Sequence, residues 1–233
     1  SRGNTITVRE ILDKGASDLD EGLADQPKTR AKLMDTVGNV YRSLGLLNLA
    51  GPLLDKSLEL RRDAGGSGTD LAESLTSVAG WHKMIGQLSE AEVLYAEAVE
   101  MYRGMDPVDG RALGNVLASF GDLLVEAGRM DDAQAAMEEG LRTLSGAEGG
   151  DHMDIAVAHS NLGKLHYQRG DYAAAEQGFQ DALAMARRLE GEDHPVVATF
   201  LDNIGHTHRK RGNSGAAELH FRKALTVRRR VLG

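Results

Sequence analysis

The chain has no cysteine in its 233 residues, which excludes a disulfide framework, a thiolate metal site and a cysteine nucleophile. Aromatic residues make up only 4% of the sequence, whereas alanine, leucine and glycine are plentiful, as close helix packing requires. No apolar run approaches the roughly 18 residues that cross a bilayer, and no secretory leader is recognisable before Thr7. We therefore expect a cytoplasmic protein that forms no disulfide and does not bind a membrane.

Positive charge is also scarce. The formal net charge is −8, which argues against sequence-independent binding of nucleic acid, because such binding needs a basic stripe. Charge is distributed unevenly along the chain, since residues 87–128 are strongly acidic whereas residues 213–233 are basic. We expect no nucleic acid among the partners of this chain.

Small residues recur at a fixed interval. A glycine returns every 41 or 42 residues, at Gly45, Gly86, Gly128, Gly170 and Gly212. Alanine follows five residues after each glycine, and a large apolar residue follows four positions later, at Leu54, Tyr95, Met137, Phe179 and Phe221. A fixed period with small residues in phase indicates a repeat array. Small residues allow two helices to approach closely, and the recurring glycine suits a left-handed helix C-cap.

The pattern predicts five helix pairs. First helices are expected at about 28–44, 70–85, 109–127, 152–169 and 194–211, and second helices at about 48–64, 89–104, 131–145, 173–189 and 215–231. The repeats are expected at 27–66, 67–107, 108–149, 150–191 and 192–233. Within residues 1–26, Val8, Ile11 and Leu12 share one helical face, and Thr7 with Glu10 forms a capping box. We expect this segment to be an N-terminal capping helix.

Residues 161–183, with the sequence NLGKLHYQRGDYAAAEQGFQDAL, show the Leu-Gly, Tyr or His, Ala and Phe spacing of the tetratricopeptide repeat. Asp193-His194-Pro195 opens a repeat, and Asn161 and Asn203 precede the Leu-Gly and Ile-Gly pairs. These features resemble the kinesin-light-chain-like class of tetratricopeptide repeats, of the bacterial type. The resemblance implies an all-α, right-handed superhelical solenoid that binds other proteins and performs no chemistry.

The resemblance implies two biological contexts. The array is similar to bacterial kinesin-light-chain-like proteins that accompany bacterial tubulins, which implies an accessory of a tubulin-like filament. Residues 6–15 and 41–45 are similar to the tetratricopeptide tails of bacterial serine/threonine kinases, which implies a regulatory or substrate-docking region of a longer protein. The sequence leaves both contexts open.

In the class that this chain resembles, the first helices line a concave groove. The repeat phase places in it Asn39, Arg42, Ser43, Lys83, Met84, Asp122, Val125, Glu126, Asn161, Lys164, Tyr167, Gln168, Asn203, His206, Arg209 and Lys210. The part contributed by repeats four and five is basic and carries amides and an aromatic ring. We expect it to bind an extended acidic peptide, because cations supply charge-assisted hydrogen bonds and amides can clamp a peptide backbone.

The last helix offers a second candidate surface. Its basic residues are Arg222, Lys223, Arg228, Arg229 and Arg230. They either meet an acidic protein surface or complement the C-terminal end of the helix dipole. Leu225, Val227, Val231 and Leu232 have no following helix in the sequence to cover them, so we expect either self-association through this open repeat or marginal stability of the last helix pair. Charge reversal at Arg61 and Arg62, on an outer helix of an earlier repeat, is expected to have little effect on the binding of the acidic peptide.

Metal binding and catalysis find little support. The chain has 8 histidines, of which His82, His166 and His208 share one repeat position, which indicates packing between paired helices. No His and carboxylate spacing matches a metal motif. There is no Gly-x-Ser-x-Gly nucleophile elbow and no kinase signature set. We expect no metal, no cofactor and no catalytic residue.

Overall fold

The computed structural model describes residues 14–15, 23, 25–66, 68–147 and 150–232, and for Leu232 only the backbone. Over these residues all regular secondary structure is helical. The helices are α1 (Pro27–Ser43), α2 (Leu47–Asp63), α3 (Thr69–Met84), α4 (Leu88–Arg103), α5 (Gly110–Glu126), α6 (Met130–Gly146), α7 (Met153–Arg169), α8 (Tyr172–Glu190), α9 (Pro195–Lys210) and α10 (Ser214–Leu232). The all-α helix-pair fold is confirmed, and each helix end lies within one residue of its predicted position. The predicted capping helix falls almost entirely outside the described residues.

The recurring glycines end the first helix of each pair, as predicted. All five adopt a positive φ, between 73° and 82°. At the end of α7, the Gly170 N–H donates to the Tyr167 carbonyl and the Asp171 N–H donates to the His166 carbonyl, at 3.1 and 2.9 Å. The same two bonds recur at the other four glycines. This is the Schellman motif, which satisfies the last carbonyls of a helix and needs a residue that tolerates the left-handed conformation.

The chain divides into two compact units, Ser1–Val108 and Asp109–Gly233. The first unit contains α1–α4. In it, the indole of Trp81 packs against Gly51, which has no side chain. A Cβ built on Gly51 would lie 2.3 Å from Cζ2 of that ring. The Trp81 Nε1–H donates to the Leu47 carbonyl at 2.8 Å. The indole therefore fixes α3 against the start of α2.

Arg61 is buried although it lies on the second helix of its pair. Its side chain is only 8% exposed, and its guanidinium donates to the carbonyl of Asp70 in the first turn of α3. Its positive charge also acts on the buried carboxyl of Asp35. Burial raises the pKa of Asp35, and Arg61 opposes that rise. Arg61 thus links α2 to its neighbours, whereas Arg62 is exposed and pairs with Glu97 at 2.7 Å.

The second unit contains α5–α10, and its paired helices meet at small residues. A Cβ built on Gly163 would lie 2.9 Å from Cδ1 of Phe179, and one built on Gly121 would lie 2.5 Å from Cγ of Met137. Ala175 is fully buried at the same crossing as Gly163. The phase predicted from the sequence, with small residues at the crossings and a large apolar side chain between them, is confirmed.

Ionic contacts join successive helix pairs of the second unit. Arg169, at the end of α7, donates to Asp131 at 2.5 Å and to Gln134 at 2.9 Å, both on α6. One repeat later, Arg211 donates to Glu176 on α8. The two contacts are equivalent, because Arg211 and Glu176 each lie 42 residues after Arg169 and Gln134. In both cases an arginine at the end of one pair's first helix contacts the second helix of the pair before it.

Replacing Asp154 by asparagine should destabilise the second unit at neutral pH. Arg111 and Asn115, both on α5, donate to Oδ2 of Asp154 on α7 at 2.8 and 3.2 Å. Burial raises the pKa of Asp154, but these hydrogen bonds and the positive charge of Arg111 outweigh it and hold the pKa below its usual value. A lowered pKa means that the carboxylate stabilises the fold above about pH 4, and that this contribution is lost as the pH falls through the folded-state pKa.

Thermal unfolding followed by circular dichroism at pH 7 and pH 3 tests this expectation. The melting temperature of Asp154→Asn should lie below that of the parent at pH 7, and the difference should shrink at pH 3. A difference of the same size at both values would mean that the charge of Asp154 contributes nothing.

Candidate functional site

A cavity of about 480 Å³ opens on the face of α7 and α9 that the sequence assigned to the groove of repeats four and five. Its lining residues are Lys164, Tyr167, Gln168, Phe179, Asn203 and His206. Five of these six were predicted from the repeat phase as groove residues. The structure thus brings together, in one cavity, side chains that lie up to 42 residues apart in the chain.

The apolar part of the cavity comes from two aromatic rings. Phe179, on α8, reaches the cavity because Gly163 has no side chain in its way. Tyr167, on α7, packs edge-on against Tyr172 with 5.5 Å between the ring centroids. This contact fixes the phenol ring of Tyr167 beside the opening. The cavity therefore has a rigid aromatic surface that can hold one large apolar side chain.

One of the polar residues that line the cavity, Asn203, has an unsatisfied donor. The Nδ2 group of Asn203 is buried and has no hydrogen-bond partner among the described residues. A buried donor without a partner costs about 1–3 kcal/mol, so such groups in folded proteins generally have one. Lys164, another lining residue, donates to Oδ1 of Asn161 at 3.2 Å, which orients the ammonium group. An ammonium has three donors, so this bond leaves Lys164 able to bind a ligand.

His206 lines the cavity from α9, and Arg209 contacts it. Nη2 of Arg209 lies 3.1 Å from Nδ1 of His206. A guanidinium can only donate, so Nδ1 accepts and the ring proton lies on Nε2. The ring of His206 also packs edge-on against Phe221, with 5.0 Å between centroids. Arg209 itself lines a neighbouring cavity on α10, and Lys210 is exposed without lining either cavity.

The equivalent positions in the first unit satisfy one another. Nε and Nη2 of Arg42 donate to Oδ1 of Asn39 at 3.1 and 2.9 Å, and Nδ2 of Asn39 donates to Ser77 at 2.9 Å. The guanidinium lies against Gly80, where a Cβ would come within 2.9 Å of Nη1. Lys83 is half-buried on the same helix. Arg42 and Asn39 therefore use these hydrogen bonds within the first unit.

Most of the basic face of α10 is neutralised. Arg222 pairs with Glu218 at 2.6 Å and Arg230 pairs with Asp193 at 3.1 Å. Arg228 pairs with Asp202. Of the basic residues on this helix, Lys223 and Arg229 are exposed and form no ion pair with any described residue. The structure therefore presents two isolated cations on α10, in place of the five-residue basic face that the sequence suggested.

Phe179 is the site residue that the sequence did not assign to the groove. The repeat phase placed it in the core, and it is indeed buried. The missed signal is that glycine stands opposite it at position 163, so no side chain of α7 lies between the ring and the cavity at that position. His82 and His208 bond Gln87 and Glu176 at 2.6 and 3.5 Å, in agreement with a packing role. No cluster of three potential metal ligands exists among the residues that the structure describes.

Helix pairs in a 42-residue register, stacked one on the next within each unit, define a helical-repeat protein. The sequence matches the model of the tetratricopeptide repeat over residues 29–104, 112–187 and 154–230. The chain belongs to the tetratricopeptide repeat family. The family fold is generally a protein-interaction scaffold. No helix in the described part of the chain is long and apolar enough to cross a membrane.

Solved structures of kinesin-light-chain-like proteins share this fold. BtubC (BKLC) from P. vanneervenii superposes with a TM-score of 0.80 at 18% identity, over 96% of this chain and 90% of that one. A putative kinesin light chain from Podosopora anserina gives 0.73 at 13% identity, over 88% and 97%. A Rap protein complexed with Competence and Sporulation Factor gives 0.67 at 12% identity, over 88% and 65%. No curated protein sequence matches the chain.

Proposed function

We propose that the chain is a non-catalytic protein-binding module, and that repeats four and five take an extended acidic segment of another protein. The observation that carries the proposal is the buried, unpartnered Nδ2 of Asn203 beside the cavity that Lys164 and Tyr167 line. A peptide carbonyl is an acceptor of the kind that this donor lacks. The positions equivalent to Asn203 in repeats one and two are Thr36 and Ser77, which carry no amide, and this favours repeats four and five as the binding site.

The cavity favours a segment with one large apolar side chain. Its volume of about 480 Å³ lies within the range of roughly 300–1,000 Å³ that is typical of ligand pockets. Tyr167 and Phe179 supply apolar area, while Gln168 and His206 lie at the polar edge. A leucine or tryptophan side chain in the cavity would bring its own backbone close to Asn203. The anchor and the amide bond then fix the register of the segment.

The charges around the cavity favour an acidic segment. Lys164 on α7 lines the cavity, and Arg209 and Lys210 on α9 are exposed near its lining residue His206 in the sequence. Hydrogen bonds from cations to carboxylates are about twice as strong as neutral ones, and opposite charge also accelerates encounter. Exposed charges are screened over about 8 Å at physiological ionic strength, so binding should weaken as salt is added.

We propose that the partner is a bacterial tubulin-like filament. The support is the resemblance of the sequence to bacterial kinesin-light-chain-like proteins, together with a shared fold over nearly the whole of BtubC. The alternative is a regulatory or substrate-docking region of a bacterial serine/threonine kinase. Co-sedimentation with polymerised bacterial tubulin distinguishes the two, because a kinase docking region should stay in the supernatant.

Replacing Asn203 by leucine tests the binding mode. We expect the affinity for an acidic peptide with one central tryptophan to fall by about fivefold or more, since a hydrogen bond contributes about 1 kcal/mol. The free energy of unfolding should stay equal or rise, because the variant removes an unsatisfied donor. Fluorescence anisotropy and chemical denaturation measure the two quantities.

The matched control is Gln177→Leu, which also replaces an amide by leucine. Gln177 is exposed on α8 and does not line the cavity. This variant should bind the peptide like the parent. If Asn203→Leu binds as tightly as the parent, the amide does not hold the ligand and the proposed binding mode is wrong.

A further inference from the structure

A carboxyl group on α1 differs from its counterpart on α9 in the partner that it has. Asp35 and Asp202 occupy the same repeat position, three residues before the small residue at the helix crossing. In the last pair, Arg228 of the second helix donates to Asp202. The first pair has an arginine at the equivalent position, Arg61, but its guanidinium donates to the carbonyl of Asp70 on α3. The other three pairs have uncharged residues at the position of the carboxyl group, namely Thr76, Ala118 and Ser160.

One oxygen atom of Asp35 has no donor. Oδ1 of Asp35 is buried and has no hydrogen-bond partner among the residues that the structure describes. The Ser77 hydroxyl, on α3, donates to the carboxyl group and accepts in turn from Nδ2 of Asn39 at 2.9 Å. An ionised carboxylate accepts several hydrogen bonds, so this site satisfies it poorly. Burial accordingly raises the pKa of Asp35.

Charged groups from three helices act on this part of the first unit. Those that act on Asp35 or on the neighbouring carboxyl group of Glu73 are Lys32 and Arg42 on α1, Arg61 on α2, and Asp70 on α3. Burial also raises the pKa of Glu73, and the negative charge of Asp35 raises it further. Arg61 opposes the rise at both carboxyl groups, so its position decides how far each negative charge is compensated.

The surroundings of Arg61 leave room for its guanidinium to change acceptors. The side chain is 8% exposed and lines a cavity of about 190 Å³ together with Lys28 and the glycines at positions 65 and 66. Its hydrogen bond to the Asp70 carbonyl joins α2 to the first turn of α3. A bond to Asp35 would instead join α2 to α1, as the bond between Arg228 and Asp202 joins α10 to α9.

We propose that Arg61 is a two-position switch, controlled by the proton on Asp35, that connects α2 either to α3 or to α1. While Asp35 is protonated, Arg61 binds the Asp70 carbonyl. Ionisation of Asp35 leaves a buried carboxylate, which draws the guanidinium away from Asp70, and the start of α3 then loses its bond to α2. The switch lies in the first unit, so the inference is independent of the function proposed for repeats four and five.

The raised pKa of Asp35 determines the direction of the response to pH. A carboxyl group with a raised pKa holds its proton more tightly in the folded protein than in the unfolded chain. The first unit is therefore destabilised above the folded-state pKa, and it regains stability as the pH falls towards about 4, the ordinary value for aspartate. Asp154 in the second unit, whose pKa is lowered, responds in the opposite direction.

Urea unfolding of the whole protein, followed by the fluorescence of Trp81, tests the response of the first unit. The chain has one tryptophan, and it lies in this unit. Asp35→Thr introduces the residue type found at the equivalent position 76. The urea midpoint of this variant should exceed that of the parent at pH 7, because a buried charge is removed. The gap between the two proteins should shrink by at least half at pH 4.5.

Glu73→Gln is the matched control, because it removes the other carboxyl group on which Arg61 acts and leaves Asp35 in place. The gap between this variant and Asp35→Thr should still narrow as the pH is lowered. The movement itself is followed by nuclear Overhauser contacts of the Arg61 side chain in the parent. These contacts should pass from Asp70 at pH 4.5 to Asp35 at pH 7.

Three results would overturn the proposal. The first is a gap between the parent and Asp35→Thr that is equal at the two pH values. The second is a pH response that Glu73→Gln removes and Asp35→Thr does not, because the controlling group would then be Glu73. The third is a set of Arg61 contacts that stays the same at both pH values, since Asp35 would then titrate without moving the arginine.

Discussion

The variant with both Lys164→Glu and Arg209→Glu is expected to bind an acidic peptide with one central tryptophan roughly thirtyfold more weakly than the parent at physiological salt. An exposed ion pair contributes about 0.2–1 kcal/mol, and reversal replaces that attraction by a similar repulsion. Two reversed sites then cost about 2 kcal/mol, which corresponds to roughly thirtyfold in the dissociation constant. Both side chains are exposed, so the fold should be unaffected.

The control for this variant is the pair Lys223→Glu and Arg229→Glu. It makes the same change in net charge within the same unit, but on α10 and outside the groove cavity. Its affinity should stay within about threefold of the parent, since only long-range electrostatics are altered. If instead this pair abolishes binding and the groove variant does not, the acidic ligand binds to the two isolated cations of α10.

Enlarging Ala175 to leucine is expected to lower the free energy of unfolding of the second unit by about 1–3 kcal/mol. Ala175 is fully buried, and its carbonyl oxygen would lie 3.2 Å from a Cβ on Gly163. The added carbons have no space unless α7 and α8 separate. For a chain of this size, each kcal/mol corresponds to about 2–4 °C in the melting temperature.

Ala173→Leu provides the comparison, because Ala173 lies on the same helix but is exposed. Its melting temperature should match that of the parent within about 1 °C, since a surface change of this kind usually alters stability by less than about 0.5 kcal/mol. Equal effects of the two substitutions would show that Ala175 does not lie at a helix crossing. Calorimetry of the two variants and the parent gives the answer directly.

The helix pairs could be predicted closely because the signal repeats. Each glycine that ends a first helix needs a left-handed conformation, and five such glycines in phase determine where the helices stop. The side chain of Arg61 could not be predicted in the same way. Its neighbours Leu58 and Arg62 follow the helical pattern, but the partner that buries Arg61 is the Asp70 carbonyl on the next helix. Local spacing contains no information about such a contact.

The sequence could predict which residues line the candidate site, but not which hydrogen bonds they form. The repeat phase identified Lys164, Tyr167 and Asn203, because groove positions recur with the helices. It could not show that Asn203 lacks a hydrogen-bond partner whereas Asn39 has one, since that depends on the rotamers of neighbouring side chains. Nor could it show that acidic residues neutralise most of the basic face of α10.

The most direct test of the groove is a nuclear magnetic resonance titration of the whole protein with the acidic peptide. The account predicts that the largest chemical-shift changes fall on Lys164, Tyr167, Gln168, Asn203 and His206, and that the side-chain amide protons of Asn203 move downfield as Nδ2 acquires an acceptor. Changes confined to α10 around Lys223 and Arg229, with the side-chain amide of Asn203 unmoved, would contradict it.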